Sequence, residues 1–195
     1  MKYLSFDIEA TGLAEHCLMI EFAMVPFDAD AREIHEPLAR SYYIKCPSFE
    51  ELKPTLDPWV VEHNETLIRK AHSEGIEMSE FKQTLQAYLE SEEVRSYFGN
   101  QKITLFGKSM SAIDLPFLNR DLGWEFMRKY FQHRQLDLSG IAYGLMDCGL
   151  LPKGMESGSQ MMRYLSMGEV AHTALEDARN TAKMYLKIIE KIKAS

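Results

Sequence analysis

The stretch Tyr3-Leu-Ser-Phe-Asp7-Ile-Glu9-Ala-Thr-Gly-Leu13 decides how this chain is read. Tyr3 to Ile8 is an apolar run of strand length, and Asp7 and Glu9 stand at its end, one residue apart. Residues i and i+2 of a strand share a face, so both carboxylates are expected side by side. Two anions held that close repel, and burial raises the cost further. Either a cation sits between them, or the strand end is solvated. Thr11-Gly12 then turns the chain, because glycine tolerates backbone angles that other residues avoid.

The rest of the chain reads as one domain, residues 1–195. It is 46% hydrophobic and 26% charged, within the range of ordinary globular proteins, and no apolar run approaches a membrane span. Asp7 and Glu9 interrupt the N-terminal apolar stretch, which argues against a secretory signal. The three cysteines, Cys17, Cys46 and Cys148, are scattered and odd in number, which fits a reducing, cytoplasmic setting. None pairs with a histidine or cysteine at zinc-ligand spacing. The net charge of −7 lacks the basic excess of proteins that grip long duplexes, although a metal cluster can supply positive charge locally.

Beyond the turn, the spacing predicts a second strand over Cys17–Phe27, a turn at Asp28, and a third strand from Ile34 to Lys45. Pro47, Pro54 and Pro58 predict a loop over 46–57, and Pro58-Trp59-Val60-Val61 opens a short helix. Phe81, Leu85, Tyr88 and Leu89 recur at helical spacing, giving a helix from about Ser79 to Glu93 with Met78 or Ser79 at its cap. A fourth strand is expected over Lys102–Phe106, a helix from Asp114, a fifth strand over Arg134–Leu138, and a helix over 139–149. A short helix over Gln160–Leu165 and a long one over Thr173–Ile192 complete the pattern. Three strands followed by alternating helices and strands suggest a mixed sheet with helices on both faces.

Two further acids stand where chemistry could gather. Asp114 follows the fourth strand at the start of a helix, and Asp177 lies in the first turns of the last helix, five residues after His172. If strands one and four are neighbours and the last helix crosses the same sheet edge, four carboxylates and a histidine converge. Oxygen-only ligands of this kind suit Mg²⁺ or Mn²⁺ rather than zinc. Two such ions about 3.5–4 Å apart form a clamp for in-line phosphodiester displacement, and a histidine titrating near neutrality can take the proton from the attacking water. Taken singly, each residue has a plainer role open to it: Asp114 as an N-cap, Asp177 as a partner of the helix dipole, His172 as a surface side chain.

Together, Phe6-Asp-Ile-Glu-Ala-Thr-Gly-Leu13, Ile113-Asp-Leu-Pro-Phe-Leu118 and His172-Thr-Ala-Leu-Glu-Asp177-Ala resemble the three motifs of the DEDDh 3′–5′ exonucleases, the family that includes bacterial proofreading subunits and oligoribonuclease. The resemblance implies an α/β, ribonuclease H-like fold with a five-stranded mixed sheet flanked by helices on both faces. It implies that Asp7, Glu9, Asp114 and Asp177 bind two divalent ions, Mg²⁺ or Mn²⁺, with His172 as general base. The substrate it implies is a single-stranded 3′ end, RNA or DNA, and the product a nucleoside 5′-monophosphate. A sister class carries Tyr four residues before the last Asp; here that position is Thr173, so the histidine class fits. Leu56-Asp-Pro-Trp59 with His63 is similar to oligoribonuclease, which makes Trp59 a candidate base stacker unless it is core. Leu13 corresponds to a wedge against the terminal bases, or is a core leucine at a turn, and Ala10, Thr11 and His63 complete the nucleotide-binding set. Gly107-Lys-Ser-Met-Ser-Ala112 replaces the asparagine usual upstream of Asp114. Arg120, Arg128, Lys129, Arg134 and Arg163 either follow a phosphate backbone or form a solvated surface. A catalytically silent binding module, a proofreading nuclease working with a polymerase, and a homodimer all stay open on the sequence.

Overall fold

A computed structural model gives the structure of the chain and describes residues 1–168 and 173–194. Strand β1 (Lys2–Ala10) pairs antiparallel with β2 (Met19–Asp28), which pairs on its other side with β3 (Glu33–Ile34) and β4 (Arg40–Tyr43). β3 and β4 are the expected third strand, cut in two by a 3₁₀ turn over Glu36–Leu38 whose second residue is Pro37. Proline has no N–H to give the ladder, so the strand breaks there. Residues 46–57 are helical where a loop was expected. Ser48 accepts the Glu51 N–H and the Glu51 carboxylate accepts the Ser48 N–H, a capping box that starts α1 (Phe49–Leu52). A 3₁₀ turn over Lys53–Thr55 follows.

Helix α2 (Pro58–His63) is capped by Asp57 and runs, through a break at Asn64, into α3 (Glu65–Glu74). Helix α4 (Met78–Glu90) begins after Glu77, which supplies no side-chain cap, so neither Met78 nor Ser79 has that role. It stops short of Glu93, because the Ser91 hydroxyl accepts the Val94 N–H and starts α5 (Glu92–Phe98). β5 (Leu105–Gly107) lies parallel to β1, and β6 (Leu136–Asp137) parallel to β5. Between them stand α6 (Asp114–Leu122) and α7 (Trp124–Tyr130). Then come α8 (Leu138–Asp147), α9 (Gly158–Tyr164) and α10 (Ala174–Lys193). The order β3-β2-β1-β5-β6, with β4 also on β2, places six strands in five positions of one mixed sheet among the described residues.

Alternation along β1 sorts the core into two layers. Leu4, Phe6 and Ile8 pack with Phe22, Phe81, Leu85 and Leu118, whereas Tyr3 packs with Phe27, Phe106, Leu138, Met161 and Ala182. Helices therefore cover both faces, as expected. A smaller cluster joins Ile20 to Phe49, Val60 and Ile68 of α1–α3. Ala174, Ala178 and Ala182, spaced i, i+4, are fully buried and carry little side chain, so α10 lies close against the sheet. The buried Ser5 hydroxyl donates to the Ala178 carbonyl at 2.7 Å, tying the helix to β1. Among the described residues no helix is long and apolar enough to cross a membrane, and Cys17, Cys46 and Cys148 are free thiols.

Candidate active site

The face of β1 that carries Tyr3 and Ser5 also carries Asp7 and Glu9, and that face looks toward α10. Asp177, in the first turn of α10, meets them there. Carboxylate oxygens of Asp7, Glu9 and Asp177 lie within 4.8 Å of one another. Oxygen donors from three carboxylates at that separation suit a hard divalent cation such as Mg²⁺ or Mn²⁺ better than zinc, which favours nitrogen and sulfur.

Asp114 adjoins the trio from α6 and is almost wholly buried. The pairing of β1 with β5 covers Leu4 and Ser5 and extends no further, so the Ile8 N–H lacks a strand partner on that side. Asp114 Oδ1 accepts it at 3.2 Å. Asp114 is thus the first residue of its helix rather than the N-cap, which is Ile113. The turn before it is held from elsewhere: Ser109 N–H donates to Asp137 Oδ1, and the Ser109 hydroxyl lies 2.9 Å from that of Ser139. These contacts occupy residues 107–112, the segment where the motif resemblance leads to the expectation of an asparagine.

Electrostatics report the cost of the arrangement. Burial pushes the Asp7 carboxyl well above its usual range, and Asp114, Asp177, Glu9 and Glu21 add to the shift. Burial also raises Glu9 to about 7, with Asp177, Glu21 and Asp114 adding. Asp114 rises to about 7, again through burial, despite the lowering effect of the Ile8 bond. A cation bound among these groups would offset the repulsion.

Glu21 is the acid that sequence reasoning missed. It stands opposite Glu9 in the β1–β2 ladder and is 1% exposed. Its carboxylate accepts the Ser41 hydroxyl at 2.9 Å and the Ala174 N–H at 3.3 Å, which joins β2 and β4 to the first turn of α10. A lone acid inside the apolar run Leu18-Met-Ile-Glu-Phe-Ala-Met-Val was the available signal, since a buried charge demands partners. Glu21→Ala leaves the buried Ala174 N–H without its acceptor, which costs about 1–3 kcal/mol, and frees the more exposed Ser41 hydroxyl to water. A thermal melt should show a fall of several degrees in Tm; an unchanged melt would deny Glu21 that anchoring role.

The proposed nucleotide-binding residues divide. Thr11 is buried, and its Oγ1 accepts the Leu18 N–H at 2.8 Å while its own N–H donates to the Leu18 carbonyl, so it closes the loop over 12–17. Gly12 has φ +149°, and a Cβ there would stand 2.8 Å from Cys17 Sγ. Leu13 and Trp59 are 76% and 55% exposed, so neither is core. Both line a groove of about 480 Å³ together with Glu9, Ala10, Asn64 and Ile113. His63 stacks on Trp59, with ring centroids 4.4 Å apart and planes at 12°, and its Nδ1 lies 2.8 Å from the Trp59 carbonyl oxygen. His172 lies outside the described residues.

Of the basic residues, Arg120 is tied to Asp121 and to the Glu15 and Cys17 carbonyls, and Lys129 to Glu90. Neither is free to follow a backbone.

No family model and no curated protein matches the chain. Solved structures do. Cell-death related nuclease 4 is 19% identical with a TM-score of 0.70, over 97% of this chain and 64% of its own. The nuclease domain of 3′hExo, described as a DEDDh family member bound to rAMP, is 15% identical with a TM-score of 0.70, over 97% of this chain and 92% of its own. Escherichia coli exonuclease I in complex with a dT13 oligonucleotide is 17% identical with a TM-score of 0.68, over 95% of this chain and 40% of its own. The chain thus spans under two thirds of two of the three. The sheet order, the two-sided helical cover and these likenesses give the chain the α/β, ribonuclease H-like fold that these nucleases share.

Proposed function

We propose that residues 1–195 act as a metal-dependent 3′–5′ exonuclease on single-stranded 3′ ends, RNA or DNA, releasing nucleoside 5′-monophosphates. The observation that carries this reading is the Asp7, Glu9 and Asp177 trio, its oxygens within 4.8 Å of one another, set beside the groove that Glu9 shares with Leu13 and Trp59. Asp114 completes the acid set from α6. Two divalent ions, when bound, supply Lewis acidity toward the phosphate and toward the attacking water.

The chain's own residues do the rest. Asp7, Glu9, Asp114 and Asp177 hold the ions, and the Ile8 bond orients Asp114. Trp59 lines the groove with one indole face covered by His63, so a terminal base stacks on the other. Leu13, exposed at the turn, wedges against the same base, and Ala10 forms the groove wall beside Glu9. Thr11 supports this edge from below through its bonds to Leu18 rather than by touching the base. His172, just before the Thr173 cap of α10, is the residue proposed to take the proton from water.

The test uses 5′-labelled RNA and DNA, from dinucleotides to long single strands, with Mg²⁺, with Mn²⁺ and with EDTA. Stepwise shortening from the 3′ end in metal alone is expected. Tight binding with no shortening in either metal would instead mark a silent binding module. Trp59→Ala should raise KM for short substrates about tenfold and leave kcat nearly unchanged, since stacking contributes about 1–3 kcal/mol per base. An unaltered KM would remove the stacking role.

A further inference from the structure

We propose that a further nucleotide subsite, for a base and phosphate upstream of the terminal dinucleotide of the same single strand, lies in the groove between α6, α7 and the segment leading into β6. The inference rests on the exonuclease reading above and extends its substrate beyond the terminal dinucleotide.

The groove measures about 710 Å³. Pro116 and Asn119 of α6 form one wall, Trp124 and Arg128 of α7 the other, and Gln132 and His133 the floor. None of its lining residues is Asp or Glu, in a chain with 29 acids against 22 Lys and Arg. An acid-free concavity on so acidic a protein favours an anionic occupant. Trp124 is 63% exposed, unusual for so large an apolar side chain. The Arg128 guanidinium carbon sits 5.6 Å from the Trp124 ring centroid. Unlike Arg120 and Lys129, Arg128 has no ion pair among the described residues. Lys102 donates to the Arg128 carbonyl, bringing a second cation to the same wall.

An indole face flanked by an unpaired guanidinium matches stacked bases joined by phosphates, a chemistry tolerant of sequence. The groove adjoins the acid site along α6, whose first residue is Asp114 and whose next two residues, Leu115 and Pro116, line the groove. Ser111 and Leu115 line it, and Ile113 and Asp114 between them belong to the terminal groove and the acid cluster. On this proposal a strand leaving the acids passes the start of α6 on its way to Trp124.

The test compares Trp124→Ala and Arg128→Gln with the parent on a dinucleotide and on a 12-mer single strand in Mn²⁺, and measures 12-mer binding by fluorescence anisotropy in EDTA. Both variants should melt with the parent and hydrolyse the dinucleotide with unchanged kcat and KM. Trp124→Ala should weaken the 12-mer about tenfold in KM and in EDTA binding. Arg128→Gln should reduce the salt slope of 12-mer binding by about 0.7, the loss of one single-strand phosphate contact. Equal affinity of variants and parent for the 12-mer would overturn the subsite. So would displacement of the 12-mer by an acidic peptide of equal charge at equal concentration, which would assign the groove to a protein partner. If the parent hydrolyses neither substrate, the exonuclease reading falls, and the anisotropy series still decides the subsite.

Discussion

Asp7→Asn is expected to lower turnover by about a thousandfold or more while raising the melting temperature of the metal-free protein. The two effects have one cause. Asp7 stands among Glu9, Asp114, Asp177 and Glu21, and burial and their charges push its carboxyl well above the usual range. The folded protein therefore holds this anion at a cost. Asparagine keeps the shape and removes the charge, so the metal-free fold gains stability. The same exchange weakens the cation site. Metal stabilisation of transition-state charge is worth several kcal/mol, and each 1.36 kcal/mol is tenfold in rate, which sets the scale of the loss. Steady-state hydrolysis in Mn²⁺ and a melt in EDTA check both halves. Parental activity would sink the catalytic half, and a lower melting temperature in EDTA would sink the electrostatic one.

The second large effect is a pH dependence that metal reverses. Glu9 and Asp114 titrate at about 7 in the folded chain, against ordinary values of 4.5 and 3.8. Between about pH 4 and 7 the folded state therefore binds more protons than the unfolded state, and stability falls as pH rises through that window. The slope is about 1.4 kcal/mol per pH unit for each proton concerned. Asp7, raised by the same burial, adds to the fall. Surface carboxylates act elsewhere: Arg179 holds Glu36 low, so its stabilising effect is lost only below the ordinary carboxylate range. Cations bind the deprotonated acids and at a hundredfold excess over Kd stabilise by about 2.7 kcal/mol. The gap in melting temperature between Mn²⁺ and EDTA should thus widen from pH 5 to pH 8. A metal-free melting temperature that climbs over that range would contradict the clustering of the acids.

Much of this was legible in the chain because its signals are local. Period-two alternation in Tyr3–Glu9 sends the acids to one face whatever surrounds them. The apolar spacing after Thr173 defines α10 within a residue or two of its observed ends, with Thr173 as its cap in the structure. Where local signals were overridden, the competing interactions are identifiable. Proline spacing over 46–57 suggested a loop, but the Ser48–Glu51 box started a helix. One long helix was expected to Glu93, but the Ser91 hydroxyl ended it and began another. Exposure of Trp59 and Leu13 was undecidable from sequence, because an aromatic at a helix start and a leucine at a turn suit core and surface equally.

The order of residues alone determined that Asp7 and Glu9 share a face, that Asp114 opens a helix behind a strand, and that Asp177 lies one turn into the last helix. Only the tertiary structure decided that these acids meet: β5 had to pair with β1, and an alanine stripe had to let α10 lie close enough to bring Asp177 to the strand. It also decided the part of Glu21, whose partners Ser41 and Ala174 are 20 and 153 residues away. The physical reason is that strand pairing and helix docking depend on surfaces distant in sequence, and no local pattern encodes which of them close on each other.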